Sequence, residues 1–242
     1  MTSSRALNFV FVPGVNHGGW CWHPVGRRVR AAGHHAYALT LPGLALGDDP
    51  SGLRLVDAID HIVREVERRD LHDVVLVGHS FAGIPISGAA PRILGRLAHL
   101  AFFSAFIPQR GESMVAALGP DTTAWIQDTV EASPDDTVDI DFQTFATRLM
   151  QDEPVDLQKL VFEQLTPQPG GYVLDSLDVD GLDTLDVPIT YLLAERDIAL
   201  AAPGTELAAR LGVEPIMVPG THEALLTHPD DIAKALLDNT LG

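Results

Sequence analysis

Six short apolar runs, each closed by a glycine, a proline or a polar turn, punctuate this chain: LNFVFV (7–12), HAYALT (35–40), VVLVG (74–78), LAHLAFFSAF (97–106), VPITYLLA (187–194) and EPIMVPG (214–220). Runs this short and this rich in branched and aromatic residues read as buried strands. Between most of them lie amphipathic stretches. In RLVDAIDHIVREVERRD, Leu55, Ile59, Ile62 and Val66 recur at i, i+4, i+7 and i+11, one face of a helix. HPVGRRVRAAG (23–33) and PGTELAARLG (203–212) read as helices stopped by glycine. HPDDIAKALLDNTL (228–241) carries proline near its first position and two aspartates in its first turn. Strands that alternate with helices predict an α/β fold with a mostly parallel six-stranded sheet and helices on both faces, because parallel strands need crossover connections.

The alternation breaks once. From Pro108 to Asp186 there are 17 acidic residues against three basic ones (Arg110, Arg148, Lys159), so this stretch carries most of the chain's formal charge of −17. Helix-like pieces such as TAWIQDTV and FQTFATRLM occur there with Pro and Asp at their edges. The expectation is one domain over residues 1–242, with a core of 1–107 and 187–242 and a helical lid insertion over about 108–186. The acidity argues against nucleic acid or an anionic membrane as partner. No apolar run approaches the roughly 18 residues of a membrane span. The opening MTSSRALNFVFVPG reads as a first buried strand rather than a signal peptide. The lone cysteine, Cys21, permits no internal disulfide, fits a reducing cytoplasm, and reads as a buried structural thiol between Trp20 and Trp22. Arg outnumbers Lys 14 to 2, which hints at a bacterial gene of high GC content.

Ligands of an open α/β sheet bind outside the carboxyl ends of the strands. Those ends carry Gly14, Val15, Asn16 and His17 after the first strand, and His79, Ser80 and Phe81 after the third. Glu195, Arg196 and Asp197 follow the fifth, and Thr221 and His222 the last. A serine, an acid and a histidine thus meet at one edge in the order Ser…Asp…His, the order of a nucleophile-elbow hydrolase. In GHSFAG, Ser80 would be the nucleophile on a strained strand-to-helix turn, with small residues around it at Gly78, Ala82 and Gly83. The amide of Phe81 would face a developing oxyanion. His222 would be the general base, in preference to His228 at a helix entry, and Asp197 the orienting acid, with Glu195 as runner-up. Asp183 and Asp186 precede the fifth strand and belong to the wrong edge. No metal site is expected: His34–His35 and His17/His23 lack carboxylates or thiolates at ligand spacing. PGVNHGG lacks the Lys-Ser/Thr ending of a phosphate loop.

The stretch FVFVPGVNHGGWCWHPVGRRVRAAGHHAYALTLPGL, with GHSFAG, AERDIAL and GTHEALLTHP, resembles the α/β-hydrolase superfamily. It is most similar to the compact branch of methylesterases and hydroxynitrile lyases. The resemblance implies that fold, a triad at Ser80, Asp197 and His222, and oxyanion amides at Val15 and Phe81. A pocket is expected to include Gly14, His17 and Ile198 near the strand ends, and the resemblance adds Trp125 from AWIQDT, similar to a lid stretch; no cofactor is expected. Pro13 stands where the family usually has His. Gly14 and Glu223 stand where the lyases have Thr and Lys.

The leading expectation is a carboxylesterase acting on a small to medium, mainly apolar ester. Two alternatives stay open: a cofactor-free lyase, cyclase or oxygenase that uses His222 and Asp197 for proton transfer, and a ligand receptor with little turnover. The expected partner is a small molecule, and a homodimer is compatible with the chain.

Overall fold

The computed structural model describes residues 5–240. Met1–Ser4, ahead of the first strand, and Leu241, to which the sequence extends the last helix, lie outside the described residues. Eight strands form among them: β1 (Asn8–Val12), β2 (His35–Ala38), β3 (Val74–His79), β4 (Leu97–Phe103), β5 (Thr137–Val138), β6 (Gln168–Pro169), β7 (Ile189–Ala194) and β8 (Ile216–Val218). Six of them make one sheet in the order β2-β1-β3-β4-β7-β8. Every pair in it is parallel, where the sequence promised only a mostly parallel sheet.

The period-two alternation of strands sorts the sheet's side chains onto two faces. Val10, Val12, Leu76, Leu100 and Phe102 pack with Leu55, Ile59, Ile62 and Val66 of helix Leu55–Arg68 and with Ile86 of helix Gly83–Ala89. Phe9, Phe11, Val75, Val77 and Phe103 point the other way. They meet Val25 and Val29 of helix His23–Ala31 and Ile232 and Leu236 of helix Pro229–Thr240. Each such side chain, fully buried, contributes roughly 1.5–3 kcal/mol. With both faces covered, the carboxyl edge of the strands is where a ligand meets the sheet.

The acidic segment is built from helices Met114–Ala117, Pro120–Ala132, Val155–Phe162 and Gly170–Leu174. FQTFATRLM is not one helix: a single α turn, Phe142–Thr144, runs into a π turn, Phe145–Leu149. The antiparallel pair β5–β6 was not foreseen, because two-residue strands, one ending in Pro169, leave no alternation to read. Phe145, Leu149, Met150 and Val161 give the segment a small core of its own. It is tied to the sheet end of the molecule by Tyr172 Oη, which donates to Pro42 O at 2.9 Å, and by the Arg54–Asp175 ion pair.

Glycine matters most where β3 turns into its helix. A Cβ on Gly78 would lie 2.6 Å from Ile86 Cδ1, and one on Gly83 only 2.0 Å from the carbonyl oxygen of Phe106. The tightest approach to the turn is therefore made by the backbone after β4, against Gly83, while Ala82 is simply buried. Gly83→Ala is expected to cost about 3 kcal/mol through overpacking against main chain. At roughly 2–4 °C per kcal/mol for a chain of this size, calorimetry should find the midpoint lowered by about 6–12 °C. An unchanged midpoint would contradict the contact.

Candidate active site

Ser80 directly follows β3 and has φ +55°, a left-handed conformation costing roughly 1–3 kcal/mol outside glycine. The surroundings hold it there: Phe106 N–H donates to Ser80 O at 3.0 Å, and Ser80–Ala82 close a tight 3-10 turn into helix Gly83–Ala89. The strain aims the side chain at the sheet edge. Ser80 Oγ lies 2.9 Å from His222 Nε2, and His222 Nδ1 lies 2.8 Å from Asp197 Oδ2. Because a carboxylate only accepts, Nδ1 carries the hydrogen and leaves Nε2 to accept from the serine hydroxyl.

Asp197 sits in the turn after β7, where Ala199 N–H donates to its second oxygen at 2.8 Å. Burial pushes its carboxyl up. The charge and hydrogen bond of His222, with the Ala199 amide and the Ser104 hydroxyl, outweigh burial and leave it below the usual carboxylate range. For His222, burial favours the neutral ring, but the Asp197 charge and hydrogen bond and the nearby Glu223 raise it above the ordinary imidazole value. Glu195, the alternative acid, is exposed. His228 pairs with Thr227 Oγ1 at 2.8 Å, at the entry to the last helix, and takes no part in the line.

The other expected site residues divide. Gly14 approaches the serine so closely that a Cβ there would lie 2.9 Å from Ser80 Cβ. Val15 lines a cavity of about 200 Å³ that reaches Ser80 and His222, and also an adjoining, mainly apolar cavity of about 250 Å³. Met114, Leu118, Ile140 and Thr144 form walls common to both. Trp125 lines the outer cavity. Phe81 is buried behind the turn with its ring stacked on Tyr172 at 6.1 Å. His17 and Ile198, expected in the pocket, line neither cavity. His17 is buried with Nδ1 2.7 Å from Val15 O, and Ile198 contributes its carbonyl to Arg148 Nη2 at 2.7 Å. Both positions depend on contacts made by distant segments.

Three features went unread in the sequence. Gln168 Oε1 accepts the Asn16 amide N–H at 2.7 Å, and Asn16 Nδ2 donates to Thr166 O at 2.8 Å, so the acidic segment clasps the loop after β1. The π turn brings Arg148 and Leu149 to the inner cavity together with Thr144, and Leu149 O accepts from Glu223 N–H at 3.3 Å. His79 Nε2 donates to His222 O at 3.0 Å, and burial holds its ring neutral. No local signal marks these pairs. His79, His222 and Glu223 also offer ligand atoms within 4.8 Å of one another. Both nitrogens of His222 are already engaged by Ser80 and Asp197, so ligation there would dismantle the hydrogen-bonded line.

No helix among the described residues is long and apolar enough to cross a membrane. Cys21 is buried, and burial first, then the Glu223 charge, pushes its thiol well up.

The chain is 37% identical over 123 residues to a carbendazim hydrolyzing esterase of Nocardioides sp. (strain SG-4G), covering 48% of this chain and 51% of that protein. It is 32% identical over 109 residues to an alpha-hydroxynitrile lyase of Arabidopsis thaliana, covering 43% of this chain and 42% of that one. The chain thus spans about half the length of the curated relatives it matches. An extracellular alpha/beta-hydrolase from a Paenibacillus species superposes with a TM-score of 0.90 at 23% identity, over 96% of this chain and 98% of its own, a likeness of fold. The model of the Alpha/beta hydrolase family matches residues 9–235, and the chain belongs to that family.

Proposed function

We propose that the chain is a serine hydrolase that cleaves a carboxylic ester of a small to medium, mainly apolar molecule through an acyl-enzyme. The observation that carries this is the unbroken line Ser80 Oγ–His222 Nε2, His222 Nδ1–Asp197 Oδ2, opening at its serine end into a cavity. His222 takes the hydroxyl proton as Ser80 Oγ attacks the acyl carbon, then returns it to the departing alkoxide. Asp197 holds the ring in the required tautomer and stabilises the imidazolium. The amides of Val15 and Phe81 receive the oxyanion, Phe81 from the first turn after the nucleophile, where N–H groups are unpaired and favour negative charge. Water, activated by the same histidine, then releases the acid.

The apolar walls at Met114, Leu118, Ile140 and Trp125 suit an apolar substrate. Lyase chemistry is less well served, because Glu223 stands in the sequence where the resembled lyases carry the Lys that would stabilise a cyanide leaving group. The lone buried thiol suits a reducing cytoplasm, and the excess of Arg over Lys suits a bacterial origin.

An aryl phosphonate probe tests the mechanism. Stoichiometric labelling of Ser80, with loss of turnover of a neutral aryl ester, is the expected result. Tight ligand binding without labelling or turnover would instead make the chain a receptor.

A further inference from the structure

Beside the serine's hydrogen-bonded line lies a second buried acid and imidazole that the proposed mechanism does not use. Glu223, next to His222 in the chain, is fully buried, and neither carboxylate oxygen has a hydrogen-bond partner among the described residues. His17 faces it, with Nε2 3.6 Å from Glu223 Oε2, and that nitrogen too has no hydrogen-bond partner. The other titratable groups around Glu223 are Cys21, His79 and His222. His79 gives its Nε2 hydrogen to His222 O, and His222 is committed to Ser80 and Asp197.

His17 Nδ1 lies 2.7 Å from the carbonyl oxygen of Val15, which only accepts, so Nδ1 carries a hydrogen. Nε2 and Glu223 Oε2 then face each other at 3.6 Å, longer than a hydrogen bond but within ion-pair reach. A buried carboxylate left without such a partner costs several kcal/mol.

The consequence falls on the Val15–Asn16 peptide. Its carbonyl is held by His17 and its N–H by Gln168 Oε1 at 2.7 Å, so the plane is clamped at both polar atoms. We propose that Glu223 and His17 are positioning residues: their buried pairing ties the turn that carries His222 to the loop that presents Val15 N–H. The general base and one oxyanion donor are thereby held in a fixed relation. This rests on the reading of Ser80 as nucleophile and Val15 N–H as oxyanion donor.

The test compares Glu223→Leu, Glu223→Gln and His17→Phe on a neutral aryl ester. Oxyanion donors act on the transition state, and removing one costs about 10²–10³ in kcat; displacing one should cost about 10–100-fold, with KM little changed. Glu223→Leu and His17→Phe should show that loss, with a parallel loss of affinity for a trifluoromethyl ketone. The double variant should be no worse than either single one, since both break one bridge. Glu223→Gln, whose amide N–H can donate to His17 Nε2, should recover most of kcat. Wild-type kcat in Glu223→Leu, a loss confined to KM, or a Gln variant as poor as the Leu variant overturns the proposal. If Glu223→Leu does not fold, His17→Phe carries the same comparison. Nitrogen-15 spectra of histidine-labelled protein at pH 7 test the pairing without catalysis: a His17 Nε2 resonance that moves in Glu223→Leu supports it, and one that stays overturns it. Failure of ester turnover and of Ser80 labelling would remove the catalytic reading while those spectra still decide the bridge.

Discussion

Ser80→Ala is expected to lower kcat/KM for a neutral aryl ester by about 10⁵–10⁶-fold and to leave the fold intact. The serine of a Ser-His-Asp line acts with its histidine as one unit, so removing it forfeits nearly all of what the line supplies, on the order of 10⁶ in kcat; oxyanion and binding contributions leave a residue of about 10³–10⁴ over water. The hydroxyl makes one hydrogen bond, to His222 at 2.9 Å, so the thermal midpoint should move little. Alanine keeps the φ of +55° and therefore its strain, whereas Ser80→Gly relieves it. The glycine variant should be equally inactive yet melt above the alanine variant. Initial rates together with calorimetry on the two variants check both halves. Activity in Ser80→Ala within tenfold of the parent would end the acyl-enzyme mechanism.

The features legible in the sequence are those written in local pattern. Strands and helices announced themselves because burial on both faces of a parallel sheet leaves short continuous apolar runs such as VVLVG, and burial on one helix face leaves the spacing of Leu55, Ile59, Ile62 and Val66. Ser80, Asp197 and His222 were legible for a related reason: chain order and strand ends decide which residues reach the carboxyl edge, before any side chain is placed. His17 was not. Its position after β1 suggested the pocket, but its side chain is directed by a contact with Glu223 that arrives from the far end of the chain. Gln168 is similar, a polar residue in an acidic segment whose bond to Asn16 spans 152 positions. The π turn at Phe145–Leu149 has the composition of an ordinary helix; packing against the turn that carries His222 accompanies it, not a local breaker. What composition could not supply was pairing between surfaces that only the folded chain brings together.

Asp197→Asn should lower kcat/KM at pH 7 by about 10⁴-fold, and its pH profile should separate orientation from charge. Asparagine keeps the shape, but its amide can face His222 Nδ1 with a donor, which favours the tautomer that puts the hydrogen on Nε2, where it blocks acceptance from Ser80. The general base must be neutral, so activity rises as pH climbs through the His222 value. In the wild type that value lies above the ordinary imidazole value of about 6.5, the push coming from the Asp197 charge and hydrogen bond against burial. Removing the charge leaves burial in control, so the acid limb of Asp197→Asn should move to lower pH, and the deficit should shrink as the pH falls. Stability follows the opposite signs for the two partners. Raised in the fold, His222 contributes stability below its unfolded value that is lost as pH rises through its folded one. Lowered in the fold, Asp197 contributes stability above its unfolded value that is lost as pH falls through its folded one. The His222–Asp197 pair therefore stabilises most between those two limits, and the variant should lose that rise. Rate profiles between pH 5 and 9, with urea midpoints between about pH 3 and 9, measure both effects. An acid limb that stays where it was in Asp197→Asn would mean that Asp197 does not set the charge state of the base.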